Sequence, residues 1–302
     1  MSTKVAVVGL GSMGFGMAQS LLRGGLKTWG FDISAERQAA WQAEGGAQGE
    51  LHEIAGELDA ICIVVLNSVQ TESVLFGDQG IVTMMKPGSV VLGCATVAPE
   101  FARDMETRCA AAGIHYLDAP ISGGAAKAAI GRLSVMASGT KDAFEQAAPV
   151  LDATAENVFE LGDTAGNGSA MKAVNQMLAG SHIALMAEAI TFGMTQGIQP
   201  KTFLDVISQC AGNSWMLENR APHIVDGDYT PRSSVNIWPK DLGIVLDIAE
   251  NANFDAPMTA TALKQFLSAA DAGLGAEDDA AVAKIYAQKS NLTLPGTEAE
   301  AT

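Results

Sequence analysis

A parallel α/β domain followed by an all-α domain, joined by one long helix, is the fold class this sequence predicts, on three observations. Short apolar runs alternate with helical patterns over the first half of the chain, as in β-α-β units. After Gly166 the alternation stops and only helical stretches follow. Between the halves, Ser169 to Gln196 is 28 residues of helix formers without a proline, about 42 Å at a rise of about 1.5 Å per residue. With 302 residues, two domains are expected, 1–164 and 165–302.

Composition narrows the function. The chain is 48% apolar and 17% charged with a net charge of −16. No basic run offsets phosphate repulsion, which argues against nucleic-acid and anionic-membrane partners. Cys62, Cys94, Cys109 and Cys210 have no metal or redox spacing and read as free thiols of a reducing compartment. His52, His115, His182 and His223 form no ligand spacing, so no metal is expected. The start before Val5–Leu10 is too short for a signal-peptide core. No uninterrupted apolar stretch reaches a membrane span, and the long helix carries Asn175, Gln176, Ser181 and His182. A soluble cytoplasmic protein is expected.

The elements follow in order. Val5–Val8 is a buried strand running into Gly9-Leu10-Gly11-Ser12-Met13-Gly14, a helix pattern covers Phe15 to Leu22, and Thr28 to Phe31 is a second strand ending at Asp32. Strand, G-x-G-x-x-G, helix, strand and acid in that order are the dinucleotide fingerprint of a Rossmann domain. The glycines serve a tight turn, close backbone approach to pyrophosphate and helix-to-strand packing, and the helix N-terminus faces the phosphate. Asp32 lies 18 residues past Gly14 and suits the ribose 2′-hydroxyl; no arginine follows at once, which favours NAD over NADP.

Ala60–Leu66 and Ser89–Leu92 are further strands, separated by a helix over Val69–Leu75. Leu66, Asn67 and Thr96 thus fall at or just past strand ends, where open parallel sheets bind ligands. A helix from Pro99 to Ala112, the strand His115–Asp118, Leu133–Ser138, a helix over Lys141–Ala153 and the strand Asn157–Leu161 complete a sheet of about eight strands. Within it, Asp118-Ala-Pro-Ile-Ser122-Gly123-Gly124 offers a hydroxyl and consecutive N–H groups after a proline turn. It is either a nest for a carboxylate or an ordinary glycine turn.

Ser169 is the expected N-cap of the long helix, with Gly197 and Pro200 as stop signals. Apolar residues fall on every face, so burial all round is expected, in a large core or between subunits. Lys172, in its first turn, is disfavoured as an ammonium by the helix dipole and by desolvation, which would leave an amine able to trade protons. The alternative is a lysine that snorkels from a helix end. Asn175 and Gln176 share its face. Helices follow over Thr202–Cys210, Leu242–Asn251, Thr259–Ala272 and Asp278–Gln288, interrupted by a polar-aromatic loop at Ala211–Trp215 and a charged turn at Trp238–Gly243. The tail from Leu292 reads as disordered.

Together, Gly9-x-Gly11-x-x-Gly14, Asp118-Ala-Pro-Ile-Ser122-Gly123-Gly124, Gly166-x-Gly168-x-x-x-Lys172 with Asn175-Gln176, and Lys240-Asp241-Leu242 resemble the β-hydroxyacid dehydrogenases, over about residues 4–290. The resemblance implies a Rossmann domain and a helical domain joined by the long helix. It implies NAD-dependent oxidation of a small hydroxy acid and a homodimer or homotetramer built on the helical part. It assigns Lys172 as general base, Asn175 or Gln176 as the group that orients the hydroxyl, and Ser122, Gly123 and Gly124 as the carboxylate site. Lys240 would close the site on carboxylate or cofactor. Asn213 either bonds outer hydroxyls or caps its own loop, and Trp215 either walls the pocket or is core. Two features depart from the family pattern: Gln176 stands where a second Asn is frequent, and Gly93-Cys94-Ala95 where relatives usually carry serines.

Overall fold

The computed structural model describes residues 2–297, and the chain forms two compact units, Met1–Lys172 and Ala173–Thr302. The first begins with β1 (Lys4–Val8), α1 (Ser12–Arg23), β2 (Lys27–Phe31), α2 (Ala35–Ala43) and α3 (Leu51–Ile54). It continues with β3 (Ala60–Ile63), α4 (Ser68–Phe76), β4 (Val90–Gly93), α5 (Pro99–Ala111) and β5 (His115–Asp118). Then come β6 (Ile121–Ser122), α6 (Gly124–Ala129), β7 (Leu133–Ala137), α7 (Lys141–Thr154) and β8 (Ala155–Glu160).

The eight strands among the described residues do not make one sheet. Five are parallel in the order β2-β1-β3-β4-β5, and three form a second sheet, β6-β7-β8. The division occurs after Asp118. Its backbone exchanges bonds of 3.0 and 2.9 Å with Ser138, and Met136 N donates to Pro120 O at 3.0 Å, so the chain turns to run antiparallel beside β7. Ile121–Ser122 is therefore a short strand rather than part of a turn.

Both faces of the parallel sheet are covered, so its strands are apolar throughout. Alternation along β1 splits the core. Val5 and Val7 pack with Met17, Leu21 and Val150 on one face, and Ala6 and Val8 with Leu58, Leu75 and Met105 on the other. The strands end in register, in one row across the sheet: Phe31, Val8, Ile63, Gly93, Asp118.

The long helix, α8 (Asn167–Thr195), has 29 residues. After it come α9 (Pro200–Ile207), α10 (Trp215–Asp226), α11 (Ile237–Asn251), α12 (Pro257–Ala269) and α13 (Ala283–Lys289). Two stretches differ from expectation. Trp215 opens a helix capped by Ser214, whose Oγ accepts from Leu217 N at 3.0 Å. The expected charged turn lies inside α11, because Pro239 is its third residue, where a helix needs no N–H partner. The second core gathers Ile183, Met186, Ile190, Leu217, Ile224 and Leu242, with Trp238 stacked on Phe266 at 5.5 Å.

Within the single chain α8 is buried on one side only, so of the two expected settings a core that surrounds the helix is not what this chain supplies. Ile183, Met186 and Ile190 are buried, whereas Val174, Leu178, Leu185 and Phe192 are 51, 53, 58 and 66% exposed. By length and composition, with a mean hydropathy of 1.3, α8 is long and apolar enough to cross a bilayer, a test that core helices of globular proteins also pass. The tail is ordered at first. Leu294 is buried, and Gly227 packs so closely on Gly296 that a Cβ would collide with its backbone. The rest of the expected disordered tail lies outside the described residues.

Candidate active site

The candidate residues of the first unit emerge just past the row of strand ends. Gly9 to Gly14 follow β1, Asp32 follows β2, Leu66 and Asn67 follow β3, Thr96 follows β4, and Ser122 to Gly124 follow β5. Between β1 and β3 the strand order reverses, which is where such sheets take ligands.

The three glycines have separate reasons. Gly9 (φ +94°) lies against Val64 O, and a Cβ on Gly14 would collide with Gly9 O. A Cβ on Gly11 would meet nothing within 4 Å, so open space lies above the loop. Gly11 is also the N-cap of α1 and offers no side-chain bond, leaving the N–H groups that start at Ser12 and Met13 available to an anion. Asp32 closes the other side: Oδ2 accepts from Leu10 N at 2.7 Å and Oδ1 from Ser34 N at 2.8 Å. This donor set fits the pyrophosphate and ribose of a dinucleotide. An arginine is nevertheless at hand: α2 turns Arg37 back so that Nη1 donates to Leu10 O at 2.7 Å. Asn67 has a structural task, its Oδ1 capping α4 by accepting from Gln70 N at 2.9 Å. The thiol of Cys94, beside Thr96, is pushed well up by burial and stays neutral.

Asp118 organises the start of α8. Its Oδ2 accepts from Gly166 N at 2.9 Å and Ser169 N at 2.8 Å, and its Oδ1 from Ser169 Oγ at 2.7 Å. Ser138 Oγ accepts from Gly168 N at 2.9 Å. The cap is thus a carboxylate 51 residues away, and Ser169 lies inside the helix instead of capping it. Burial pushes the Asp118 carboxyl above the usual range, against the downward pull of those hydrogen bonds. Because α8 starts at Asn167, Lys172 is its sixth residue, beyond the first turn where the dipole acts most. Its burial remains, at 8% exposure. Lys172 Nζ donates to Ile121 O at 2.9 Å. Ile121 directly precedes Ser122, Gly123 (φ +128°) and Gly124 (φ +76°), and a Cβ on Gly124 would meet nothing within 4 Å. Lysine, hydroxyl and open glycine backbone are therefore neighbours in the first unit.

In the second unit, Gln176 is 7% exposed and Asp241 2%. Gln176 donates to Asp241, which lies beside Lys240. Asn213 is engaged within its own loop, its Nδ2 donating to Ser208 O at 3.1 Å and Glu218 Oε1 at 2.6 Å while its Oδ1 accepts from Ser214 N at 2.8 Å. Trp215 is 55% exposed, not core. Arg37 and Ser138 are polar residues without a place among the expected site residues, and Asp241 entered only as part of the Lys240-Asp241-Leu242 motif, with no role of its own. Of the three, only Asp241 left a signal in the sequence, its place in that motif.

The chain is similar to known proteins along most of its length. The NAD binding domain of 6-phosphogluconate dehydrogenase, as a family model, matches residues 4–162. The model for the NAD-binding region of NADP-dependent 3-hydroxyisobutyrate dehydrogenase matches residues 166–286. An L-threonate dehydrogenase of Escherichia coli K12 is 47% identical over 296 residues, 97% of each chain. A 2-(hydroxymethyl)glutarate dehydrogenase of Eubacterium barkeri is 34% identical over 98% of each chain. A crystal structure described as 3-hydroxyisobutyrate dehydrogenase from Salmonella typhimurium superposes with a TM-score of 0.89 at 49% identity, covering 94% of this chain and all of that one.

Proposed function

The chain belongs to the 3-hydroxyisobutyrate (β-hydroxyacid) dehydrogenase family, and on that premise we propose that it oxidises L-threonate at C2 to the 2-oxo acid with NAD, as a step of sugar-acid catabolism. The dehydrogenase class and NAD binding follow from the family. The chemistry rests on one observation, the buried Lys172 held 2.9 Å from Ile121 O beside Ser122-Gly123-Gly124. The substrate rests on relatives near 47% identity that carry that activity in their names.

Lys172, as an amine, takes the proton of the C2 hydroxyl; bound NAD supplies the hydride acceptor. Ser122 Oγ and the backbone of Gly123 and Gly124 hold the carboxylate, which fixes C2 for transfer. Asn175 or Gln176 orients the hydroxyl. Lys240 and Trp215 contact substrate or cofactor; Asn213, engaged in its loop, is the weakest member of the set. Residues 1–164 serve the dinucleotide, and 165–302 serve substrate and assembly. The protein works as a soluble cytoplasmic homodimer or homotetramer; the exposed apolar stripe of α8 and four free cysteines support this.

The test is NADH formation with L-threonate, D-threonate, D-erythronate, 3-hydroxyisobutyrate and D-glycerate, for wild type and Lys172→Ala. L-Threonate is expected to turn over best, with kcat roughly 10²–10⁴-fold lower in the variant. Selective turnover of 3-hydroxyisobutyrate, the activity named for a solved structure at 49% identity, would replace the substrate and keep the class. A fully active Lys172→Ala enzyme would remove the base.

A further inference from the structure

Four polar residues of the second unit form one chain of contacts. Lys240 Nζ lies 2.7 Å from Asp241 Oδ1. Gln176 Nε2 donates to Asp241 Oδ2 at 2.5 Å, and Asn175 Nδ2 donates to Gln176 Oε1 at 2.9 Å. Gln176 and Asp241 are buried, whereas Asn175 is partly exposed.

A primary amide can face a partner with either its oxygen or its nitrogen, so Asn175 and Gln176 alone have no fixed sense. A carboxylate removes that freedom because it only accepts. Against Asp241, Gln176 must turn its nitrogen toward the acid and its oxygen toward Asn175. That oxygen in turn draws the nitrogen of Asn175 inward, so Oδ1 and one N–H remain on the outer side. Asn175 sits three residues beyond Lys172 on α8, on the same helical face.

We propose that Asp241 is a positioning residue: through Gln176 it sets the sense of the Asn175 amide, so that Asn175 meets the hydroxy acid with Oδ1 as acceptor for a substrate hydroxyl. The proposal rests on the dehydrogenase reading above. It also separates the two amides, since Gln176 has both ends engaged inside the protein and Asn175 does not.

The relay can be broken and rebuilt. Asp241→Asn keeps the shape of the side chain and removes its acceptor-only character, so both senses become available. Gln176→Glu sets two acids against each other. In Q176E/D241N the carboxylate moves one step along the chain, where it accepts from the new amide at 241 and from Asn175 Nδ2, and Asn175 keeps its sense. Each single variant is expected to lose roughly 10–100-fold in kcat/KM for L-threonate, and the double to recover most of it. Circular dichroism establishes that all three fold. Wild-type kcat/KM in Asp241→Asn, or a folded double no better than the poorer single, overturns the proposal. Side-chain amide NMR signals of selectively labelled asparagine give a readout free of catalysis. The Asn175 signals should shift in Asp241→Asn and return in the double, and unshifted signals overturn the relay whatever the activity. If the wild type turns over no hydroxy acid while the signals follow that pattern, the relay stands and the functional reading fails.

Discussion

Leu10 is held from two sides: its N–H donates to Asp32 and its carbonyl accepts from Arg37, both at 2.7 Å. An acid that suits a ribose hydroxyl and a cation that suits a phosphate thus grip the same loop residue. A preference for NAD over NADP would therefore fall to the negative charge of Asp32 and not to the want of an arginine. Asp32→Asn should raise affinity for 2′-phospho-ADP-ribose by roughly 10–100-fold in calorimetric titration, and adding Arg37→Ala should cancel the gain. No gain in the single variant, or a gain that survives loss of Arg37, would refute this. The contrast also explains what was legible residue by residue. Gly9, Gly11, Gly14 and Lys172 carry their meaning in type and spacing. Arg37, Ser138 and Asp241 acquire theirs from partners that folding delivers.

At the scale of elements, β1-α1-β2 was legible because each signal is local: an apolar run, glycines, an acid. Helix α10 and the opening turn of α11 were not: Pro222 lies within α10, and Pro239 is the third residue of α11, whose later part from Leu242 was expected as helix. A segment with less local warrant is the start of the last helical layer, where Asp278 bonds His223 Nδ1 at 2.8 Å, Arg232 N at 3.0 Å and Ala280 N at 3.1 Å. Burial raises its carboxyl pKa, but those bonds and the histidine outweigh burial, and the net shift is downward. An acid with a lowered folded value contributes stability above its unfolded value, about 4, and loses it as pH falls through the folded one. Asp278→Asn should therefore cost about 2–4 kcal/mol in urea unfolding at neutral pH, with the gap to wild type closing in acid. A gap that is constant with pH would show the charge to be irrelevant. At the start of the long helix α8, Asp118→Ala should cost about 3 kcal/mol by the same measurement, because it strands Gly166 N, Ser169 N and Ser169 Oγ in the interior. A loss under about 1 kcal/mol would mean that water replaces the carboxylate.

For the molecule as a whole, the order of classes, α/β and then all-α, was legible from the change in periodicity after Gly166. Which side of α8 stays open was not, because apolar residues fall on all its faces and only the packed neighbours choose among them. Leu178 and Leu185 line a groove of about 420 Å³ with Phe254 and Met258, of which Phe254 and Met258 are 61 and 70% exposed. Continuous apolar surface of that kind is costly for a monomer. If the proposed homo-oligomer forms through this groove, Leu185→Glu should convert it to monomers in analytical ultracentrifugation, with circular dichroism unchanged; a variant that sediments like wild type would refute that placement. The Asp118 cap bears, finally, on how this protein can be dissected. A fragment cut at the visible loop, after Thr164, would keep the acid and discard every α8 donor that satisfies it, so the smallest piece of the first unit able to stand by itself includes the opening turns of α8. The chain has no clean seam there: the first unit borrows its last stitch from the helix that begins the second.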